Sequence, residues 1–256
     1  MGNTITAKDG INNNLLAIGG SGKLGKFCIT RWLNKKIINK VWNFDINELN
    51  HKNVNNLRKN ILDEDGYNEL SNILRNHNPS KIIVFAGYDF PRSKDAQDFN
   101  SPFAANIIQS TKAWDVNCIL PYLLLKSIDE NKYKNITITL IGSIYGSRVP
   151  KKYLYSDKGD IFKPVIYGMC KSALEYLNKQ ASLHMSEING RCNLIRFGGI
   201  DCNIEKKFKD RYSKISPSNS MVSMDSVYES MTFVAIKNIN DLNGAIIDID
   251  SGIRHT

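Results

Sequence analysis

The segment YGMCKSALEYL, residues 167–177, places Tyr167 and Lys171 four positions apart in an amphipathic pattern typical of a helix. Residues at i and i+4 lie on one face of a helix, so the phenol and the ammonium can converge on one point. A free phenol titrates at about pH 10, and a neighbouring ammonium favours the phenolate. The pair could therefore exchange a proton with a substrate oxygen, although the same spacing also suits a packed tyrosine and a surface lysine.

A glycine-rich turn, GGSGKLG at residues 19–25, offers a second kind of chemistry. It ends the apolar run LLAIGG at 15–20 and precedes a helical pattern, and its glycines fit both GxGxxG and GxxGxxG. A turn of this kind lets the backbone approach a pyrophosphate, which then lies at the positive end of the helix dipole. The turn predicts a dinucleotide site.

Asp45 points to the type of dinucleotide. It lies twenty residues after Gly25, near the end of the apolar run KVWNFDI at 40–46. An acidic side chain there accepts hydrogen bonds from an adenosine ribose and repels a 2′-phosphate by roughly 1 to 4 kcal/mol. The sequence therefore predicts NAD(H) rather than NADP(H).

These residues need a scaffold, and apolar runs alternate with helical patterns along the chain. The runs are continuous, as in parallel strands that are covered on both faces by crossover helices. We therefore predict an α/β fold, a single-domain Rossmann-like doubly wound parallel sheet with helices on both faces. The predicted strands are 15–20, 40–46, 81–87, 136–143, 192–198 and 245–250, and the predicted helices follow Gly22 and lie near 67–77, 103–130, 167–177 and 225–238.

Composition bounds the class of protein. The chain has 256 residues, of which 42% are hydrophobic, so it can bury one full core at 15–256 behind a flexible N-terminal tail at 1–14. The net charge is +9, but the lysines are scattered, so we expect a small-molecule partner and no nucleic acid. No apolar run of about 18 residues and no signal peptide occur, which predicts a cytoplasmic protein that does not associate with a membrane. The cysteines and histidines lack ligand spacing, so no metal is expected.

Taken in chain order, several segments resemble the short-chain dehydrogenase/reductase family. Besides the glycine turn, they are NILD at 60–63, FAG at 85–87, DVNC at 115–118, IGSIYG at 141–146, YGMCK at 167–171, IRFGGI at 195–200 and IDIDSG at 247–252. The segments SIYG, Pro91-Arg92 and GGI at 198–200 are most similar to members that act in flagellin modification and surface-sugar biosynthesis.

The resemblance implies a catalytic set. Tyr167 would be the general acid/base, and Lys171 would support it while binding the nicotinamide ribose. Ser143 would hydrogen-bond the reacting oxygen, and Asn117 would hold a water that relays protons to Lys171. The implied cofactor contacts are Gly19, Ser21, Gly22, Lys23, Leu24, Gly25, Asp45, Asn60, Ile61, Ala86, Gly87, Tyr167, Lys171, Gly198 and Ile200, and the implied substrate contacts are Ser143, Tyr145, Arg148 and Tyr167.

The predicted function is that of an NAD(H)-dependent oxidoreductase that interconverts a secondary alcohol and a ketone. The substrate is expected to be a sugar or nucleotide-sugar of surface polysaccharide or glycan biosynthesis. The segment 144–163 would meet it, because that segment carries Tyr145, Arg148, Lys151, Lys152, Tyr153 and Tyr155; a solvated surface loop is the alternative. The resemblance also marks 200–222 as a mobile substrate lid, to which KKFKDRY adds positive charge.

Two departures leave other functions open. Phe85 and Phe197 replace an asparagine and a proline of the family, which leaves room for a non-catalytic dinucleotide-binding protein. The gap of 24 residues between Ser143 and Tyr167 is typical of extended-type epimerases and dehydratases, but only 85 residues follow Lys171, which favours a simple oxidoreductase.

The resemblance implies a homodimer or homotetramer as well. Pairing would use the helix near 103–130 and the Tyr167 helix, with Leu174 and Leu177 facing outward.

Overall fold

The computed structural model describes residues 13–90, 99–157, 162–237 and 239–256. Most of the predicted tail, and Pro91 with Arg92, lie outside these ranges. Within them the chain forms one parallel sheet in the order β3-β2-β1-β4-β5-β6-β7. The strands are β1 Asn14–Ile18, β2 Lys40–Phe44, β3 Val54–Leu57, β4 Lys81–Val84, β5 Thr137–Ser143, β6 Arg191–Phe197 and β7 Ile246–Ile249.

Helices cover both faces of the sheet, which confirms the predicted doubly wound fold. They are α1 Lys23–Asn34, α2 Glu64–His77, α3 Ile107–Trp114, α4 Leu120–Glu130, α5 Val165–Glu187, α6 Lys206–Ile215 and α7 Met224–Met231. One apolar core joins the sheet to α2, α4 and α5, and a second joins its other face to α1 and α7. No helix in the described residues is long and apolar enough to cross a membrane.

The edge strand β3 was not predicted, because its sequence VNNL lacks an apolar run. The side chain of Asn56 makes hydrogen bonds in place of apolar packing. The Oδ1 atom of Asn56 accepts hydrogen bonds from Asn43 Nδ2 and from the backbone of Leu49, both at 2.9 Å. A polar network therefore holds this strand against β2.

The long helix predicted at 103–130 differs in two respects. It begins at Ile107, because Asn106 and Gln109 form a capping box in which each side chain accepts a hydrogen bond from the other residue's backbone. A π-helical turn, Asp115–Ile119, then separates α3 from α4. Such turns frequently occur at functional sites, and this one carries Asn117.

The predicted outward face of the Tyr167 helix is wrong. Leu174 is only 4% exposed within the core, and Leu177 packs against that core. Both lie toward the sheet because the buried positions of α5 recur at helical spacing, through Cys170, Leu174 and Ala181. The exposed apolar side chains of α5 are Val165, Met169, Tyr176 and Leu183.

Candidate active site

Two cavities lie at the carboxyl ends of the strands. The larger, of about 990 Å³, and the smaller, of about 780 Å³, share the lining residues Gly19, Gly22, Phe85, Ala86 and Gly87. They therefore form one continuous groove over the ends of β1 and β4. The strand order reverses at this point, which is where doubly wound sheets bind ligands.

Ser143, Tyr167 and Lys171 meet in the wall of the larger cavity. Ser143 is the last residue of β5, and its side chain is hydrogen-bonded to that of Tyr167 in the first turn of α5. Lys171 lies one turn further along α5 and donates to the carbonyl of Ile141 at 3.0 Å. Its Nζ atom is 5.7 Å from the centre of the Tyr167 ring. The structure thus brings a hydroxyl, a phenol and an ammonium to one spot.

Asn117 reaches the same spot from the π-helical turn. Its Nδ2 atom donates to the carbonyls of Ala113 at 2.8 Å and Tyr88 at 3.0 Å, while its buried Oδ1 atom has no hydrogen-bond partner among the described residues. A Cβ atom added to Gly87 would lie 3.4 Å from Asn117 Oδ1 and 3.7 Å from Lys171 Nζ. An acceptor and a donor thus flank one point, as a water relay between them requires.

Burial controls the charge of these groups. It raises the pKa of Tyr167 to about 12, although the hydrogen bond with Ser143 opposes this rise. Burial also lowers the pKa of Lys171 to about 8. The sequence predicts a Tyr167 pKa shifted toward neutrality, whereas in the protein alone desolvation of the phenolate is the largest effect and raises this pKa instead. A base at this position needs further positive charge in the cavity.

The glycine turn brings the backbone to the centre of the groove. Gly19 has φ +77°, and a Cβ atom there would lie 2.5 Å from the backbone nitrogen of Ala86. Glycine is therefore required for the turn to pack against the end of β4. The helix α1 begins at Lys23 without a side-chain cap, which leaves its first backbone N–H groups for a ligand, and Gly22, Lys23, Leu24 and Gly25 line the larger cavity.

Asp45 lies in the wall of the smaller cavity, directly after β2. Its Oδ2 atom accepts from the backbone of Ser21 and its Oδ1 atom from the backbone of Asn47, both at 2.9 Å. These bonds hold the carboxylate in place, and its remaining lone pairs can accept from a ribose. Ser21, Asn60 and Ile61 line the same cavity.

The two cavities fit the two halves of a nicotinamide dinucleotide. The glycine backbone lies where they join, as a pyrophosphate requires, and the unpartnered Oδ1 of Asn117 lies on the catalytic side. Of the remaining residues predicted to contact the cofactor, Gly198 and Ile200 line the larger cavity. Phe85 and Phe197, which depart from the family pattern, line it as well.

The predicted substrate segment is placed only in part at the cavity. Tyr145 and Tyr155 line it, and their hydroxyls are hydrogen-bonded at 3.0 Å. Arg148 instead donates to the backbone carbonyls of Ile253 and Thr256, and it is not among the described residues that line the cavity. Lys151, Lys152 and Tyr153 likewise lie outside the described lining, and residues 158–161 lie outside the described ranges.

The segment 200–222 forms a wall of the larger cavity, and its described lining residues include rings and Glu205 but none of its lysines or arginines. Phe208 and Tyr212 of α6 line the cavity, whereas Lys209 pairs with Asp201. Arg211 pairs with Asp157 and donates to the carbonyls of Leu154 and Tyr155, both at 3.0 Å. The cations of KKFKDRY that the structure pairs in this way serve to attach α6 to neighbouring segments.

Sequence reasoning missed part of the lining of the larger cavity. It did not single out Asp89, Phe90 and Phe99, nor Phe162 and Lys163 within the predicted segment 144–163. Lys163 did carry a signal, because it precedes Tyr167 by four residues just as Lys171 follows it by four. The others lie in loops without a motif.

Solved structures match this fold closely, although no protein-family model and no curated protein matches the sequence. A short chain dehydrogenase from Leptospira borgpetersenii with bound NAD⁺ shares 21% identity at a TM-score of 0.79, over 94% of this chain and 92% of that one. A short chain dehydrogenase family protein from Francisella tularensis shares 20% at 0.78, over 95% and 99%. ElxO with NADP bound shares 19% at 0.75, over 95% and 99%. The chain therefore has the fold of the short-chain dehydrogenases.

Proposed function

We propose that this protein is a nicotinamide-dependent oxidoreductase that interconverts a secondary alcohol and a ketone, with NAD(H) as the preferred cofactor. The observation that carries the proposal is the hydrogen-bonded Ser143 and Tyr167 pair, with Lys171 beside it, in a groove that continues to the glycine turn. The neighbours with bound NAD⁺ and NADP support a nicotinamide dinucleotide.

The side chains divide the work of one proton transfer. The nicotinamide would supply hydride acceptance and donation. Ser143 would orient the substrate oxygen toward Tyr167, whose Oη atom would take the alcohol proton or return it to the ketone. Lys171 would stabilise the phenolate and bind the ribose, and Asn117 Oδ1 would hold the water through which Lys171 exchanges protons with solvent.

A turnover screen tests this proposal. Purified protein is incubated with NAD⁺ or NADH and a panel of secondary alcohols, free keto-sugars and nucleotide-linked sugars, and NADH absorbance is followed. We expect stoichiometric formation or consumption of NADH with at least one substrate. Substrate conversion without net change in NADH would instead indicate an epimerase or dehydratase that recycles its cofactor. Dinucleotide binding without any conversion would favour the non-catalytic alternative suggested by Phe85 and Phe197.

Within this function we propose a sugar or nucleotide-sugar as substrate. The support comes from ring faces that suit stacking on a sugar, since the cavity is lined by Phe90, Phe99, Tyr145, Tyr155, Phe162, Phe208 and Tyr212. The predicted cations do not support it, because Arg148 is bonded to the C-terminal backbone. We also propose that the segment 200–222 closes over the substrate as a lid.

A homo-oligomer is the final part of the proposal. Apolar side chains are exposed on α5, where Met169 is 53% exposed, Tyr176 is 70% and Leu183 is 68%. On α4, Tyr122 is 51% exposed. Symmetric pairing of these helices would bury them. We expect a dimer or tetramer by light scattering at micromolar concentration, and Tyr176→Lys with Leu183→Lys should shift the mass toward the monomer. A monomeric wild-type protein would contradict this assembly.

A further inference from the structure

Lys163 is a second lysine at the proposed proton-transfer site. Its Nζ atom lies 4.3 Å from the centre of the Tyr167 ring, closer than the 5.7 Å of Lys171. Its side chain is only 12% exposed, and it lines the larger cavity. A cation at this distance from an aromatic ring interacts favourably with it, and more strongly when it is desolvated.

The backbone around Lys163 is held in place on both sides. Phe162 donates to the carbonyl of Phe99 and Val165 donates to the carbonyl of Pro102, both at 2.8 Å. The ammonium itself is paired with Asp89, whose side chain is 65% exposed. Water therefore screens the carboxylate more than the buried ammonium, so the Asp89 charge cancels only part of the field that Lys163 exerts on Tyr167.

The uncharged neighbours of Tyr167 supply no positive charge. Ser143 is hydrogen-bonded to Tyr167, whereas Tyr145 and Cys170 raise the pKa of Tyr167 further. Lys171 is the other cation near the ring within the described part of the chain, and burial lowers its pKa to about 8. Burial and repulsion by Lys171 lower the pKa of Lys163 to about 7, while the Asp89 carboxylate favours its charged form.

We propose that Lys163 is a positioning residue of the reaction, a second ammonium that stabilises the Tyr167 phenolate and is itself held over the ring by Asp89. The inference rests on the proposed function, because it concerns the proton-transfer step. As the phenolate forms it favours the charged form of Lys163, so the two groups titrate together. Replacing Lys163 should then destabilise the Tyr167 phenolate without altering the groove that would hold the dinucleotide.

The test is a pH titration of Lys163→Met, which keeps the length and apolar stem of the side chain. The phenolate of Tyr167 is followed by ultraviolet difference absorbance against Tyr167→Phe, with and without NAD⁺. In the NAD⁺ complex, where the positive nicotinamide would bring the Tyr167 ionisation toward the pH range in which Lys163 is charged, loss of the cation should move the Tyr167 midpoint upward by about one pH unit. With a substrate, kcat for alcohol oxidation at neutral pH should fall roughly tenfold, with little change in the KM for NAD⁺.

Matched variants separate charge from structure. Lys163→Arg should bring the midpoint back to the wild-type value or below it, because a guanidinium stays charged throughout the titration and stacks on rings. Lys152→Met should change nothing, since Lys152 lies 6.0 Å from the ring of exposed Tyr153, outside the cavity lining. If Lys163→Met does not fold, Lys163→Gln takes its place. An unchanged midpoint in the neutral variant, or no recovery in Lys163→Arg, would overturn the proposal. The absorbance titration needs no substrate, so it decides the role of Lys163 even if no turnover is found.

Discussion

Replacing Tyr167 with phenylalanine should lower kcat by about 10² to 10⁴ while leaving the Kd for NADH nearly unchanged. The substitution removes the hydroxyl that is hydrogen-bonded to Ser143. It keeps the ring of Tyr167, a residue that is 9% exposed and packs in the cluster that includes Phe90 and Cys170. Steady-state kinetics on a substrate from the screen and fluorescence titration with NADH measure the two effects.

The control is Tyr153→Phe, which removes a hydroxyl from a tyrosine that is 60% exposed outside the described cavity lining. It should retain wild-type kcat. Wild-type turnover in Tyr167→Phe would show that Tyr167 is not the proton donor and would remove the central residue of the mechanism. A large loss of NADH affinity would indicate that the substitution damages the groove instead.

The protein should bind NADH about fivefold to a thousandfold more tightly than NADPH, as measured by calorimetry. The carboxylate of Asp45 is held in the smaller cavity by the backbone of Ser21 and Asn47, so it cannot easily turn away from a 2′-phosphate. Two lysines line the same cavity, but Lys59 pairs with Asp65 and Lys112 lies 5.2 Å from the ring of Tyr88. Both have other partners.

Asp45→Ser should reduce this preference, because it removes the charge while a hydroxyl can still accept from the ribose. Glu48→Gln is the matched control, since Glu48 is a nearby carboxylate that pairs with Arg58 outside the described lining of the smaller cavity. It should keep the wild-type ratio of affinities. Equal affinities for the two cofactors in the wild-type protein, or tighter binding of NADPH, would remove Asp45 from the ribose site.

The sequence by itself determined the fold class and the order of the elements. Continuous apolar runs such as KIIV at β4 and TITLIGS at β5 are buried on both faces of a parallel sheet. An unbroken apolar run is therefore a reliable signal of a parallel strand. The positions of the glycine turn, Ser143 and Tyr167 follow from the same pattern, because each lies at the end of a strand or the start of a helix. The polar strand β3 gives no such signal, since its asparagine bonds replace apolar contacts.

Only the tertiary structure decided which charges and rings reach the cavity. Arg148 lies five residues after Ser143, yet its guanidinium bonds the C-terminal backbone, more than a hundred residues away in the chain. Lys163 and Asp89 lie on separate loops and meet beside Tyr167 because backbone bonds join 162–165 to 99–102. The direction of the Tyr167 pKa shift also depends on burial, a property of the packed protein. Loop side chains show no hydrophobic periodicity in the sequence. Their partners therefore depend on contacts between segments that are distant in sequence.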